Sequence, residues 1–279
     1  MKYSIITICL NAEDTIERTV TSVLSQTYRN FEYIIVDGGS KDKTLHILSS
    51  YQDSIDLIIS EPDFGIYDAM NKGIKHASGD VIAFMNAGDT YYSESVFQQV
   101  YDLFYSNEYI PDVVYGDTIQ YQRDCQDYIS AFRKGKFDYI WSGPICHQSI
   151  FAKKKLFSDG FSLKYKICSD YYWFLCMVFY RNVNLLYCPQ PFSYYLSGGY
   201  SAQNIHICQK EHSRIISRFF FISLYHCSVS DILDVCFSQG FIPFIKQIGY
   251  IMKLLVLPPS IYQKITCKAM YQSICRLTR

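Results

Sequence analysis

No run of eighteen consecutive apolar residues occurs in the sequence, so no membrane-spanning helix is expected. Its eleven cysteines include no C-x-x-C pair, and no two lie closer than the eight-residue step from Cys168 to Cys176. Zinc-finger and thioredoxin-type motifs are thereby excluded. The odd count and irregular spacing fit a reducing compartment, where cysteine acts as a small core residue. There is no G-x-S-x-G, and the G-K pair at Gly135-Lys136 lacks the rest of a phosphate-binding loop. His206, Glu211 and His212 do not form the H-E-x-x-H of a zinc hydrolase. With no basic arm and no recognised nucleic-acid motif, no nucleic-acid partner is expected. Internal repeats and low-complexity segments are absent as well. The opening M-K-Y-S-I-I-T-I-C-L is too short for a secretory signal and runs at once into Glu13 and Asp14, so a cytoplasmic location is expected.

What is present is apolar and aromatic. Hydrophobic residues make up 49% of the 279, with 26 Tyr and 19 Phe, enough for one large α/β domain or a domain with an appendage. Formal net charge is zero, yet residues 241–279 hold six Lys or Arg and no Asp or Glu, leaving 20 basic against 26 acidic residues elsewhere. A basic tail that also carries apolar clusters suggests contact with an anionic surface, such as the inner face of the cell membrane. Packing against the main domain is the competing use of those clusters.

Residues 3–10 form a β-rich apolar run ending at Asn11, and Ile16, Val20, Val23 and Leu24 then recur at helical spacing. Further strands are predicted at 31–36, 55–59, 81–85 and 113–121, with helices at 43–51 and 68–77. Strands alternating with helices predict an α/β fold with a mostly parallel central sheet flanked by helices. In such sheets ligands gather at the carboxyl ends of the strands. Asn11, Asp37 and Asp89 each stand just after a strand. After about residue 205 the pattern changes to apolar segments with interspersed basic residues, broken by Pro258-Pro259.

Four segments occur in order: S-I-I-T-I-C-L-N at 4–11, V-D-G-G-S-K-D-K-T at 36–44, E-P-D-F-G-I-Y-D-A-M-N-K-G-I at 61–74 and G-D-V-I-A-F-M-N-A-G-D at 79–89. His147-Gln148 and S-D-Y at 169–171 follow. Each piece alone is a weak signal. As an ordered set over about residues 1–205 they resemble family-2 glycosyltransferases of GT-A fold, within the branch that includes colanic-acid-type enzymes of bacterial surface polysaccharides. The resemblance implies a GT-A domain over 1–205, with a nucleotide-sugar-binding half at 1–100 and an acceptor half at 101–205. Residues 206–279 would be a helical, basic, membrane-associating extension. The implied activity is inverting transfer of a sugar from a nucleotide-sugar donor to a hydroxyl of a glycan or lipid-linked acceptor.

Roles carry over residue by residue. Asp37 is assigned to the base, and Thr7, Asn11 and Ser40 to the nucleotide pocket. A carboxylate accepts from a base N–H, although Asp-Gly is also ordinary turn chemistry. Asp68, Asn71 and Lys72 begin a helix, whose free N–H groups suit phosphate. Asp89 is the metal candidate for Mg²⁺ or Mn²⁺ on the donor diphosphate, where the family usually carries an acidic cluster. Here Asn86, Ala87 and Gly88 precede it, so the expected ligands are Asp89, diphosphate and water, with a neutral oxygen from Asn86. Asp170 is the candidate general base, with a helix N-cap as the competing reading. His147 and Gln148 are placed on the acceptor side, and Gly198 and Gly199 in a loop that closes over the donor. Two other readings stay open: a catalytically weak nucleotide-sugar-binding module, kept alive by the thinned N-A-G-D motif, and a sugar nucleotidyltransferase. The latter lacks its usual basic, Gly-rich loop after the first strand, where this chain reads Leu10-Asn11-Ala12-Glu13.

Overall fold

A computed structural model describes residues 1–105, 109–122, 125–133, 138–141, 143–181 and 183–226. The first strand, β1 (Tyr3–Cys9), is buried along its whole length. It lies between β2 (Phe31–Asp37) and β4 (Val81–Phe84), parallel to both, and β3 (Leu57–Ser60) extends the parallel set beyond β2. These strands lack strict apolar–polar alternation because helices cover both faces. On one face lie α1 (Ile16–Leu24) and, later in the chain, α4 (Val96–Tyr105), around Tyr3, Val20, Val23, Phe97 and Phe104. On the other face α3 (Ile66–His76) packs with Met70 and Ile74. A Cβ on Gly73 would run into Ile6, so the missing side chain lets α3 approach β1. The short α2 (Thr44–Ser49) follows β2.

Past β4 the sheet changes character. The nine strands run in the order β3-β2-β1-β4-β8-β6-β9-β5, with β7 (Cys125–Ile129) paired to β6 (Val113–Gln122). β8 (Ile150–Lys153) is antiparallel to β4 and to β6, β6 and β9 (Leu185–Leu196) are parallel, and β5 (Thr90–Tyr91) runs antiparallel to β9. β1, β2, β3, β4, β6 and β9 therefore point one way, and β5, β7 and β8 the other. The long-range parallel pairing of β6 with β9 has no local sequence signal.

Helices α5 (Asp138–Trp141), α6 (Ser169–Tyr180), α7 (Tyr200–Gln203) and α8 (Ile205–His226) complete the described residues. α8 lies against α6, with Ile215 and Phe219 fully buried in the same core as Trp173 and Phe174. Glu211 of α8, also buried, accepts the backbone N–H groups of Lys166, Ile167 and Cys168 at 2.7, 2.9 and 3.1 Å. The first part of the segment after residue 205 thus packs on the sheet domain. The expected basic tail, with Pro258-Pro259, lies outside the described residues. Among the described residues no helix is long and apolar enough to cross a membrane.

Glu32 ties the amino-terminal edge together. Its carboxylate takes hydrogen bonds from Lys2 Nζ at 2.7 Å, from the Ser4 and Ser78 hydroxyls, and from the Ser78 and Gly79 N–H groups. Burial alone would raise its pKa, but Lys2, Ser4 and Ser78 outweigh burial and hold it at about 2, against an ordinary 4.5. A depressed carboxyl stabilises the fold above its unfolded value and loses that contribution as pH falls through the folded one. The advantage of wild type over Glu32→Gln in urea melts should therefore be full above pH 4.5 and fade towards about pH 2. A gap that stays constant over that range would contradict it.

Candidate active site

The carboxyl ends of β1, β2, β3 and β4 form one edge, and the segments picked out in the sequence follow these strands. Because β8 is antiparallel to β4, the 3-10 turn His147–Ser149 that leads into β8 stands beside the end of β4, at Asn86. Because β5 pairs with the end of β9, Leu196 stands beside Asp89. Residues distant in sequence are brought to one place in this way.

His147 and Gln148 reach in different directions from that turn. Gln148 Nε2 donates to Asp89 Oδ2 at 2.6 Å, while Leu196 N–H donates to Asp89 Oδ1 at 2.9 Å. Asp89 is 4% exposed. Its burial raises the carboxyl to about 6 from 3.8, and the Leu196, Gln148, His147 and Arg18 contributions only partly offset this. His147 Nδ1 lies 2.8 Å from Asp170 Oδ2, and its Nε2 lies 2.9 Å from Asn86 Nδ2. For the Asn86 amide to donate to Nε2, the ring proton must sit on Nδ1, where it is given to Asp170. Asn86 Oδ1 is buried with no hydrogen-bond partner.

Asp170 is the second residue of α6, and Cys168 holds the N-cap position, so it does not act as the helix cap. Its Oδ1 accepts from the Tyr67 hydroxyl at 2.7 Å and from the Tyr171 N–H at 2.8 Å. Burial would raise its pKa, but the hydrogen bond from His147, followed by those from Tyr67 and Tyr171, lowers it below 3.8. The carboxylate is 17% exposed, enough to meet a substrate while staying ionised. Burial first, then the Asp170 charge, push the Tyr67 hydroxyl well above 10, so it remains a donor. Tyr67 was not singled out in the sequence. Its place on the buried face of α3 with Met70 and Ile74 is a core signal, and only the fold puts its hydroxyl on Asp170.

Other expected site residues take structural positions. Thr7 is fully buried inside β1, with its hydroxyl 3.0 Å from that of Tyr33. Asp37 has no exposed surface, and its oxygens accept from Gly39 N–H, Ser40 N–H and hydroxyl, and Ser60 Oγ. Asn11, at φ 48°, donates its N–H to Ser40 Oγ and accepts the Lys41 N–H on its Oδ1, so Asn11 and Ser40 staple the first two loops together. Asn71 spends both ends of its amide on the Phe161 backbone. The helix starts at Ile66 rather than Asp68. Asp68 accepts the Phe64 N–H, and Lys72 binds Glu61 and the Pro62 carbonyl at 2.9 and 2.8 Å, so both hold loop 61–65.

Gly88, at φ 99°, turns the chain between Asn86 and Asp89, and Ala87 N–H returns to Ile8. Gly198 and Gly199 have open space around them, on a loop whose root is held by Leu196 on Asp89 and by Ser197 on Tyr121 and Gln120. That loop therefore hangs beside Asn86 and Asp89. Among the described residues no group of three or more His, Cys, Asp or Glu could hold a metal alone.

The family model "Glycosyl transferase family 2" matches residues 4–170, and the chain belongs to that family. Its fold is the GT-A fold of the family. A PGL/p-HBAD biosynthesis glycosyltransferase from Mycobacterium bovis is 33% identical over 179 residues, covering 61% of this chain and 66% of that protein. An uncharacterized glycosyltransferase of Mycobacterium tuberculosis is 45% identical over 97 residues, 34% of this chain and 37% of the relative. Among solved structures, Staphylococcus aureus TarS (residues 1–349) in complex with UDP superposes with a TM-score of 0.63 at 18% identity, covering 78% of this chain and 64% of that one. The mannosyltransferase PcManGT of Pyrobaculum calidifontis, in complex with GDP-Man and Mn²⁺, gives 0.61 at 16% identity, over 99% and 86% of the two chains.

The raised Asp89 carboxyl makes a stability prediction in metal-free buffer. A folded-state pKa above the unfolded one contributes stability at low pH that is lost as pH rises through about 6. The stability of wild type relative to Asp89→Asn should fall by about 3 kcal/mol between about pH 4 and pH 7. Parallel urea curves for the two proteins at both pH values would mean that Asp89 is not buried as an ionised group.

Proposed function

We propose that this chain is an inverting glycosyltransferase that moves a sugar from a nucleotide-sugar donor to a hydroxyl of a lipid-linked glycan in bacterial surface polysaccharide assembly. The observation that carries the reading is Asp170, an ionised and partly open carboxylate linked through His147 to the Asn86–Asp89 turn where the donor diphosphate would lie. The acceptor hydroxyl oxygen attacks the anomeric carbon as the bond from that carbon to the diphosphate breaks. The hydroxyl proton passes to Asp170, and the nucleoside diphosphate leaves with the bonding electrons. A carboxylate held below its ordinary pKa is a modest base, suited to a proton that becomes acidic only as the new C–O bond forms. His147 and Tyr67 fix both oxygens of Asp170, so its direction is set before substrate arrives.

The residues fit a divalent cation of the Mg²⁺ or Mn²⁺ type. Asn86 Oδ1 is a buried oxygen with no partner, which a cation would satisfy, and Asp89 adds negative charge directly behind the turn. Such a cation, when bound, neutralises charge growing on the leaving diphosphate. With one neutral oxygen and one carboxylate from the protein, it would rest mainly on diphosphate and water, as Mg²⁺ commonly does. Gly198 and Gly199 would close over the donor from the loop rooted on Asp89. The solved neighbours bound to UDP and to GDP-Man with Mn²⁺ support a nucleotide-sugar donor. The basic tail would bring the enzyme to a lipid-linked acceptor at the membrane.

In a thermal-shift panel of UDP-, GDP-, dTDP- and CMP-sugars with and without Mn²⁺, one nucleotide class should stabilise the protein in a metal-dependent way. A ligand at about 100 times its dissociation constant contributes roughly 2.7 kcal/mol. Asp170→Asn should keep that shift while losing about 10²- to 10⁴-fold in transfer rate. Transfer at the wild-type rate in Asp170→Asn would remove it as the base. A folded sample that responds to no nucleotide would favour a non-catalytic module.

A further inference from the structure

We propose that Cys208 and Cys168 form a redox-modification site, at which a small disulfide of the glutathione type reacts with Cys208 and is resolved by Cys168 into a Cys168–Cys208 disulfide that latches α8 to the start of α6. In sequence the two cysteines stand some forty residues apart and belong to no C-x-x-C motif. The fold brings them together. Cys168 holds the N-cap position of α6, and Cys208 lies in the first turn of α8. Cys168 Sγ is 3.6 Å from Cys208 Sγ and 3.6 Å from the Cys208 carbonyl oxygen. A disulfide bond is about 2.05 Å long, so the sulfurs need to approach by roughly 1.5 Å, a shift on the scale of side-chain rotation.

The pair is held in place by its surroundings. Glu211 stands three residues after Cys208, on the same face of α8. Its carboxylate accepts the N–H groups of Lys166, Ile167 and Cys168, the last at 3.1 Å. The Cys168 backbone is therefore fixed against the face of α8 that carries Cys208. From the other side, the Cys168 carbonyl accepts the Tyr172 N–H at 3.0 Å, and the Ser169 hydroxyl donates to the Ser162 carbonyl at 2.8 Å. Two thiols held this way meet as an intramolecular pair, so the second exchange step runs ahead of capture by another small thiol.

The two sulfurs differ in readiness. Cys168 is 5% exposed, whereas Cys208 is only half-buried, so an incoming disulfide meets Cys208 first. With Cys168 as hydrogen-bond donor, Cys208 is held below its ordinary 9.0 despite burial and the charges of Asp170 and Glu211. The same contact, followed by burial, raises Cys168. The thiolate is the attacking form, and the balance follows from that. The Cys208 thiolate attacks one sulfur of the small disulfide, whose S–S bond breaks, and the first small thiol leaves as thiolate. Cys168 then loses its proton to that thiolate and attacks Cys208 Sγ, releasing the second. Two protein thiols are oxidised to one disulfide, and one small disulfide is reduced to two thiols. Where glutathione keeps thiols reduced the latch stays open, and a rise in the small disulfide closes it.

The test is incubation of the full chain with oxidised glutathione, then alkylation of the remaining thiols, proteolysis and mass spectrometry. Wild type should yield a peptide pair joined through Cys168 and Cys208, with glutathione retained on neither, and dithiothreitol should restore both thiols. Cys168→Ser, which keeps a good N-cap residue, should stop at glutathione on Cys208. Cys208→Ser should leave Cys168 modified about 10-fold more slowly or less, as a buried thiol. Thermal melts check that both variants fold. In the linked wild type, hydrogen exchange at the Lys166, Ile167 and Cys168 amides should slow about 10-fold or more, because the segment can no longer part from α8. Two free thiols after treatment, glutathione persisting on Cys208 of wild type, or unchanged exchange of those amides in the linked protein would each overturn the latch. None of these readouts uses a donor or an acceptor, so the glycosyltransferase reading stands or falls separately.

Discussion

The site depends on one short turn. His147 and Gln148, adjacent in sequence, project to two different carboxylates, one pairing with Asp170 and the other with Asp89. These carboxylates come from α6 and from the turn after β4, elements separated by some eighty residues of chain. A single peptide unit can join them only because β8 runs antiparallel to β4, which carries the turn to the end of the parallel set. The link also runs through Asn86, whose amide meets the far side of the His147 ring. Asn86, His147, Asp170 and Tyr67 are therefore parts of one hydrogen-bonded assembly, and a shift of any member changes the surroundings of the next.

The two carboxylates are buried to similar ends by opposite means. Asp89 receives two neutral donors and its burial prevails, so its proton is held more tightly than in water. Asp170 receives three donors, one of them an imidazole, and these outweigh burial. Two acids of the same type thus sit on opposite sides of their ordinary pKa within one site, a separation typical of groups with different tasks. Asp170 is held in its ionised form. Asp89 gains most from a nearby positive charge, since a cation would relieve the cost of its ionised form.

How much of this could be read from the sequence follows from what each feature depends on. The parallel strands at 3–9, 31–37 and 81–84 and the helix after β1 were legible, because a buried strand and an amphipathic helix leave periodic marks in their own residues. The family was legible in an ordered set of motifs that includes the N-A-G-D turn and Asp170. The direction of a side chain at a strand end was not. Thr7 and Asp37 lie where ligands gather, yet Tyr33 and Ser60, from neighbouring strands, turn their polar groups inward.

The segment after residue 205 illustrates the same limit on a larger scale. A change in composition marks a boundary in sequence, and a boundary in composition suggests a separate appendage. Glu211 argues that α8 serves the catalytic body. A buried carboxylate that accepts three successive backbone N–H groups holds the chain just before α6 in one conformation. Those residues are the approach to Asp170, and Tyr67 touches both the Ile167 carbonyl and Asp170 itself. Removing the Glu211 carboxylate would leave three amide groups without their acceptor at the start of the helix that carries Asp170. The orientation of Asp170 is thereby supported from two directions, by His147 and Tyr67 at its carboxylate and by Glu211 through its backbone. Through Glu211, α8 is thus joined by hydrogen bonds to the three residues that lead into α6 and Asp170.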